Sequence, residues 1–119
     1  MITLYHNSEC SKCRIVMGIL ENSNIPFETV EYLKAPPTEA VLDSLLNQLK
    51  MQPEQLVRKR EDAFLELESS GKLPQNRSEW IRLMIQYPIL IERPIVSDGT
   101  TAVIGRPPEN VLEWLNHVN

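Results

Sequence analysis

Only two of the 119 residues are cysteine, aromatic residues make up 6%, and basic side chains are the minority, 12 against 16 acidic. Two cysteines fall short of a structural zinc set, and the histidines, His6 and His117, stand at no finger-like spacing, so no metal site is expected. A formal net charge of -4 carries no basic excess, which argues against direct nucleic-acid binding. No apolar run approaches bilayer-spanning length, and no charged segment leads into an apolar one at the start of the chain. The expectation is therefore a cytoplasmic protein with no membrane contact. No repeat, low-complexity tract or linker divides the chain, and 42% hydrophobic content is enough for a core without staples. One domain over residues 1–119 is expected.

What is present concentrates at one junction. Cys10-Ser11-Lys12-Cys13-Arg14 lies where the apolar run Ile2-Thr3-Leu4-Tyr5 gives way, through His6-Asn7-Ser8-Glu9, to a helix-like stripe at Ile15, Val16, Ile19 and Leu20. A thiol at a helix start meets the positive end of the backbone dipole and unpaired N–H groups, which favour thiolate. Lys12 and Arg14 add charge in the same direction. In the cytoplasm thiols are kept reduced, so a CxxC pair points to catalysis, redox sensing or metal binding before a permanent staple.

Asn22-Ser23-Asn24 stops the first helix, and Phe27 to Tyr32 alternates as a half-covered strand, completing a βαβ unit. Thr38 is read as the N-cap of a helix whose stripe is Val41, Leu42, Leu45, Leu46 and Leu49. Pro53 suits the first turn of a short helix through Leu56-Val57, and Phe64, Leu65 and Leu67 suggest another short turn. Ile81, Met84 and Ile85 mark a helix capped near Asn76 or Ser78 and ended before Pro88. Asp98-Gly99 between Ile95-Val96 and Thr101 to Ile104 signals a hairpin, and Val111, Leu112 and Leu115 stripe a terminal helix. Trp80 and Trp114 fall on helical stripes as core or partly covered surface, and Glu61, Asp62, Glu66 and Glu68 read as a solvated face. The layout is α/β, a thioredoxin-like four-stranded mixed sheet flanked by helices, with a helical insertion, about residues 38–87, between its βαβ and ββα halves. Such folds place a cis-proline beside the active cysteine, and Pro94 is the candidate.

Four stretches carry a resemblance to the glutaredoxin-coupled arsenate reductase family. They are Tyr5-His6-Asn7 leading to Cys10-Ser11-Lys12, then Leu56-Val57-Arg58, Ile91 to Ile95, and Ile104-Gly105-Arg106-Pro107-Pro108-Glu109. The resemblance implies that Cys10 is the nucleophile and that Arg58, Arg93 and Arg106 bind and polarise the oxyanion. It also matches His6 to the histidine preceding the reactive loop. Guanidinium groups give paired hydrogen bonds to a tetrahedral oxyanion and stay cationic, which suits arsenate. The implied cycle uses no bound cofactor; glutathione is the reducing co-substrate and glutaredoxin the protein partner.

Two positions depart from the family: Ser8, where many relatives have Pro, and Cys13, where reductase relatives usually have Ser or another non-thiol. Two helical residues three apart hold their Cβ atoms about 5–6 Å apart. A disulfide needs about 3.5–4.5 Å. The pair closes only if Cys10 sits in a non-helical cap. In that case Cys13 is a candidate resolving thiol, and thioredoxin becomes a further candidate reductant.

The residues leave other assignments open. His6 is an acid or base, or a structural residue fixing the loop through Asn7. Arg58 and Arg60 share a charge run, and only the resemblance selects Arg58. Arg14 pairs with Glu9 or neighbours the thiolate. The chain also resembles the Spx group of redox-sensing transcription regulators, which share the fold, a CxxC and an Arg-Pro pair and bind RNA polymerase. A general thiol-disulfide oxidoreductase is the third alternative. Arg106 favours the enzyme, because a sensor needs no third oxyanion-binding arginine.

Overall fold

The computed structural model describes residues 1–118. It forms two units, one of Met1–Ala35 together with the chain from Arg93 onward, the other of Pro36–Glu92. The first contains β1 (Ile2–His6), α1 (Ser11–Asn22), β2 (Phe27–Glu31), β3 (Ile95–Ser97), β4 (Ala102–Ile104) and α6 (Glu109–Val118). The second contains α2 (Glu39–Leu49), α3 (Pro53–Leu56), α4 (Asp62–Ser69), α5 (Arg77–Gln86) and a 3₁₀ turn at Pro88–Leu90.

The sheet runs in the order β2-β1-β3-β4. β1 and β2 are parallel, with Ile2 opposite Phe27 and His6 opposite Glu31, while β3 runs antiparallel to both β1 and β4. This is the expected four-stranded mixed sheet of a thioredoxin-like α/β fold. Ile2, Leu4, Val16, Leu20, Val96, Val111, Trp114 and Leu115 make its core. Burial of each such side chain is worth about 1.5–3 kcal/mol, which is what fixes α1 and α6 on the sheet. The buried stripe of α1 is Cys13, Val16 and Leu20, narrower than the sequence pattern, because Ile15 is exposed; Leu112 is likewise exposed on α6.

Gly105 follows β4 where backbone and side chains meet closely. A Cβ there would stand 2.7 Å from a Val16 methyl and 3.0 Å from Pro94 Cγ. Glycine is required by this approach, and the approach brings Pro94 and the end of β4 to the start of α1. The Arg93–Pro94 peptide is cis, and so is Arg106–Pro107, for which the sequence offers no separate signal.

In the helical unit, Thr38 Oγ1 accepts the Val41 N–H at 3.2 Å and Asn76 Oδ1 accepts that of Glu79 at 3.0 Å, so both caps lie where turn chemistry puts them. Pro53 opens α3. Phe64 lies on an eight-residue helix, not a single turn; its ring is buried and anchors α4. Leu42, Leu46, Leu56, Met84 and Leu90 are fully buried, and Val41 is exposed. Trp80 and Trp114 are 8% and 9% exposed, which makes both core residues; the Trp114 indole N–H also reaches Thr101 Oγ1. Among the described residues no helix is long and apolar enough to cross a membrane.

Candidate functional site

The reactive turn is built by its backbone. Cys10 is the N-cap of α1 with φ -85° and ψ 126°, extended and outside the helix. This is the cap position on which closure of the CxxC pair depends. Its N–H donates to Asn7 O at 2.9 Å, and its carbonyl accepts the Arg14 N–H at 3.1 Å. The side chain makes no capping bond, so the sulfur is left to face the first N–H groups of the helix.

Those groups set its acidity. Burial opposes the charged form of Cys10, but the N–H and thiol of Cys13, the N–H of Lys12 and the Arg93 guanidinium outweigh it, bringing the pKa from 9.0 down to about 7. Arg106 adds a donor, Nη2 at 3.6 Å from Cys10 Sγ, while its Nε holds Arg93 O at 2.6 Å. Lys12 acts through its backbone N–H. Among the described residues Arg14 makes no ion pair with Glu9; its guanidinium donates to Ser8 O at 3.3 Å, closing the loop on itself.

Cys13 is fully buried, and its sulfur accepts the Asn7 N–H at 3.4 Å. Burial and the adjoining Cys10 thiolate push its pKa up to about 12, so the order of ionisation is fixed: Cys10 first. Both are free thiols. Arg93 is 8% exposed and interacts with the phenol of Tyr32, a buried residue one step beyond β2. Thus Cys10, Cys13, Arg93, Arg106 and Pro94 all belong to the sheet unit, gathered at the strand ends that precede α1 and α6.

His6 is not in a loop. It is the last residue of β1, 5% exposed, and its Nε2 lies 3.6 Å from Glu31 Oε1 across the parallel pair. Glu31 is therefore its partner, in place of Asn7. Arg58 belongs to the helical unit, where Nε donates to Glu61 Oε1 at 3.1 Å and Nη1 stands 3.8 Å from Glu92 Oε2. Its side chain is 11% exposed, whereas Arg60 is exposed, which separates two residues that the charge run left equivalent. Glu61 is consequently a buttress for Arg58, while Asp62, Glu66 and Glu68 do form a solvated face. The sequence missed Glu31 and Tyr32 as site residues; their only signal is adjacency at the end of a strand parallel to the one that leads into the CxxC.

The ArsC family pattern matches residues 5–114. An uncharacterised Escherichia coli protein, YfgD, is 39% identical over 113 residues, covering 94% of each chain. An arsenate reductase of Haemophilus influenzae is 35% identical over 115 residues, 96% of this chain and 98% of its own. The solved arsenate reductase of Vibrio cholerae superposes with a TM-score of 0.86 at 36% identity, over 94% of this chain and 95% of its own. With the pattern running from the end of β1 through the reactive turn and both Arg-Pro segments, the chain belongs to the ArsC family.

Proposed function

We propose that this chain is an arsenate reductase, with Cys10 as nucleophile and glutathione with glutaredoxin as the electron source, working in the reducing cytoplasm. The observation that carries this is the thiolate of Cys10 at the start of α1 with Arg106 Nη2 3.6 Å from its sulfur. A sulfur with a pKa of about 7 is half ionised at neutral pH, and the guanidinium beside it suits an incoming oxyanion. Family membership and the activities named for the Haemophilus and Vibrio proteins support the same reading.

In the proposed cycle Cys10 Sγ attacks arsenic(V), forming an S–As bond as one oxygen leaves as water. Glutathione then replaces a second oxygen, which leaves as water, so that arsenic carries both sulfurs. The glutaredoxin thiolate next attacks the glutathione sulfur, the two joining as a disulfide while the electron pair of the broken S–As bond stays on arsenic; water then splits the remaining bond to Cys10, releasing arsenite and the free thiol. Arg93 and Arg106 hold the oxyanion and stabilise its charge while the water departs. Arg58 is the third arginine proposed by the resemblance, and His6 supports the reactive loop. Cys13 first donates its S–H to the Cys10 thiolate, and after Cys10 is oxidised it serves as resolving thiol, which would admit thioredoxin as a reductant. The Arg106 contact favours this enzyme over a polymerase-binding sensor, which has no use for an oxyanion arginine at its sulfur.

The test is arsenate-dependent glutathione oxidation with glutaredoxin present. Wild type is expected to turn over and Cys10→Ser to be inactive; an inert wild type overturns the assignment. Cys13→Ser is expected to retain glutaredoxin-supported turnover and to lose turnover supported by thioredoxin. Equal rates with both reductants would remove the resolving role.

A further inference from the structure

Glu31 closes β2 and has no part in the chemistry described so far. Its Oε1 accepts the Ser8 N–H at 2.8 Å and stands 3.6 Å from His6 Nε2, and its Oε2 is 3.8 Å from Lys34 Nζ. Ser8 lies in the loop that delivers Cys10. The other bonds of that loop are internal to it or to the first turn of α1: Asn7 O accepts the Cys10 N–H, Asn7 Oδ1 accepts the Glu9 N–H, Cys13 Sγ accepts the Asn7 N–H, and Arg14 Nη1 donates to Ser8 O. The Glu31 bond reaches from a strand 23 residues away, and it is charge-assisted, the stronger class.

We infer that Glu31 is a positioning residue for the Cys10 nucleophile, clamping the reactive loop through the Ser8 N–H so that the sulfur stays aimed at its donors. The carboxylate is oriented by three neighbours: the Ser8 N–H from the loop, His6 from β1, and Lys34 from the turn after β2. The same Ser8 N–H above all, with His6 and Lys34, holds its pKa below the usual carboxylate range, so at neutral pH the clamp is anionic and engaged. A loop tied only to itself and to its own helix could tilt as a body; tied to β2, it is registered against the sheet. The inference rests on the proposed function only in treating Cys10 as the reacting group.

The experiment follows alkylation of Cys10 by iodoacetamide as a function of pH, with the modified residue identified by mass spectrometry. It needs no arsenate, so its outcome is separate from that of the reductase assay. Wild type should titrate with a midpoint of about 7. Glu31→Ala should move the midpoint up by about half to one unit and slow alkylation at neutral pH about two- to sixfold. Glu31→Gln, which keeps an acceptor oxygen, should restore most of the rate. If Glu31→Ala does not fold, Ser8→Pro removes the donor of the same bond and should give the same displacement. An unmoved midpoint in whichever of these two variants folds overturns the inference, and so does a Glu31→Gln midpoint as displaced as that of Glu31→Ala.

Discussion

Arg106 of the sheet unit puts Nη2 3.6 Å from a thiolate sulfur, whereas Arg58 of the helical unit gives Nε to Glu61 at 3.1 Å and holds Glu92 at 3.8 Å. Both are partly buried guanidinium groups on chain segments that the resemblance treats alike, yet their local charge balance is opposite. Beside Arg106 stands the Cys10 sulfur, ionised near neutral pH. Around Arg58 two carboxylates already answer one cation. An oxyanion arriving at Arg58 would compete with acids in place, whereas at Arg106 it would meet a guanidinium beside the proposed nucleophile.

The largest effect expected from breaking this comparison is at Arg106. Arg106→Ala should raise the Cys10 alkylation midpoint by about one unit and cut arsenate kcat/KM about a hundredfold, the scale of losing a donor aimed at developing charge. A variant with unchanged midpoint and rate would erase the distinction between the two arginines. Arg58→Ala should instead act first on stability, costing about 2 kcal/mol in urea unfolding because Glu61 and Glu92 lose their common cation. If it leaves stability unchanged and lowers turnover as far as Arg106→Ala does, the carboxylates are not what governs Arg58.

The smallest effect is in the pH dependence of stability, where the two cysteines pull in opposite directions. Between about 7 and 9.0 the unfolded thiol keeps a proton that folded Cys10 has lost, so stability should rise with pH across that window. From 9.0 toward 12 the unfolded chain gives up a proton that folded Cys13 retains, so the Cys13 contribution should fall. Subtracting denaturation midpoints of Cys10→Ser and Cys13→Ser from those of wild type isolates each limb. A Cys10 difference that declines from 7 to 9.0 would contradict the ordering of the two ionisations.

Sequence and structure agree best where one residue decides its own surroundings. Thr38 and Asn76 cap because their side-chain oxygens reach N–H groups three residues on, and Asp98-Gly99 turns because Asp98 Oδ1 meets Thr100 and Thr101 N–H at 2.8 Å and Gly99 carries φ 95°. Cys10 was legible for the same reason: a strand, a polar loop and a helix start are all local signals. Glu31 and Tyr32 were not, since alternation marks them only as strand residues, and their work depends on a loop and a guanidinium brought near by parallel pairing. His6 was misplaced because its polarity suggested loop, while cross-strand pairing with Glu31 makes the last position of β1 tolerable for a buried imidazole. The choice between Arg58 and Arg60 had only half a local answer, because beside Glu61, three residues on, Arg58 also stands near Glu92, far along the chain.

The complete burial of Cys13 gives the thiol pair a direction of travel. Should the two sulfurs join, an outside reductant finds only the Cys10 sulfur within reach, and the departing group is the thiol with the higher pKa, which leaves reluctantly. Reopening such a bond would therefore be slow toward small monothiols, and it would have to begin at Cys10, the partly exposed sulfur of the pair.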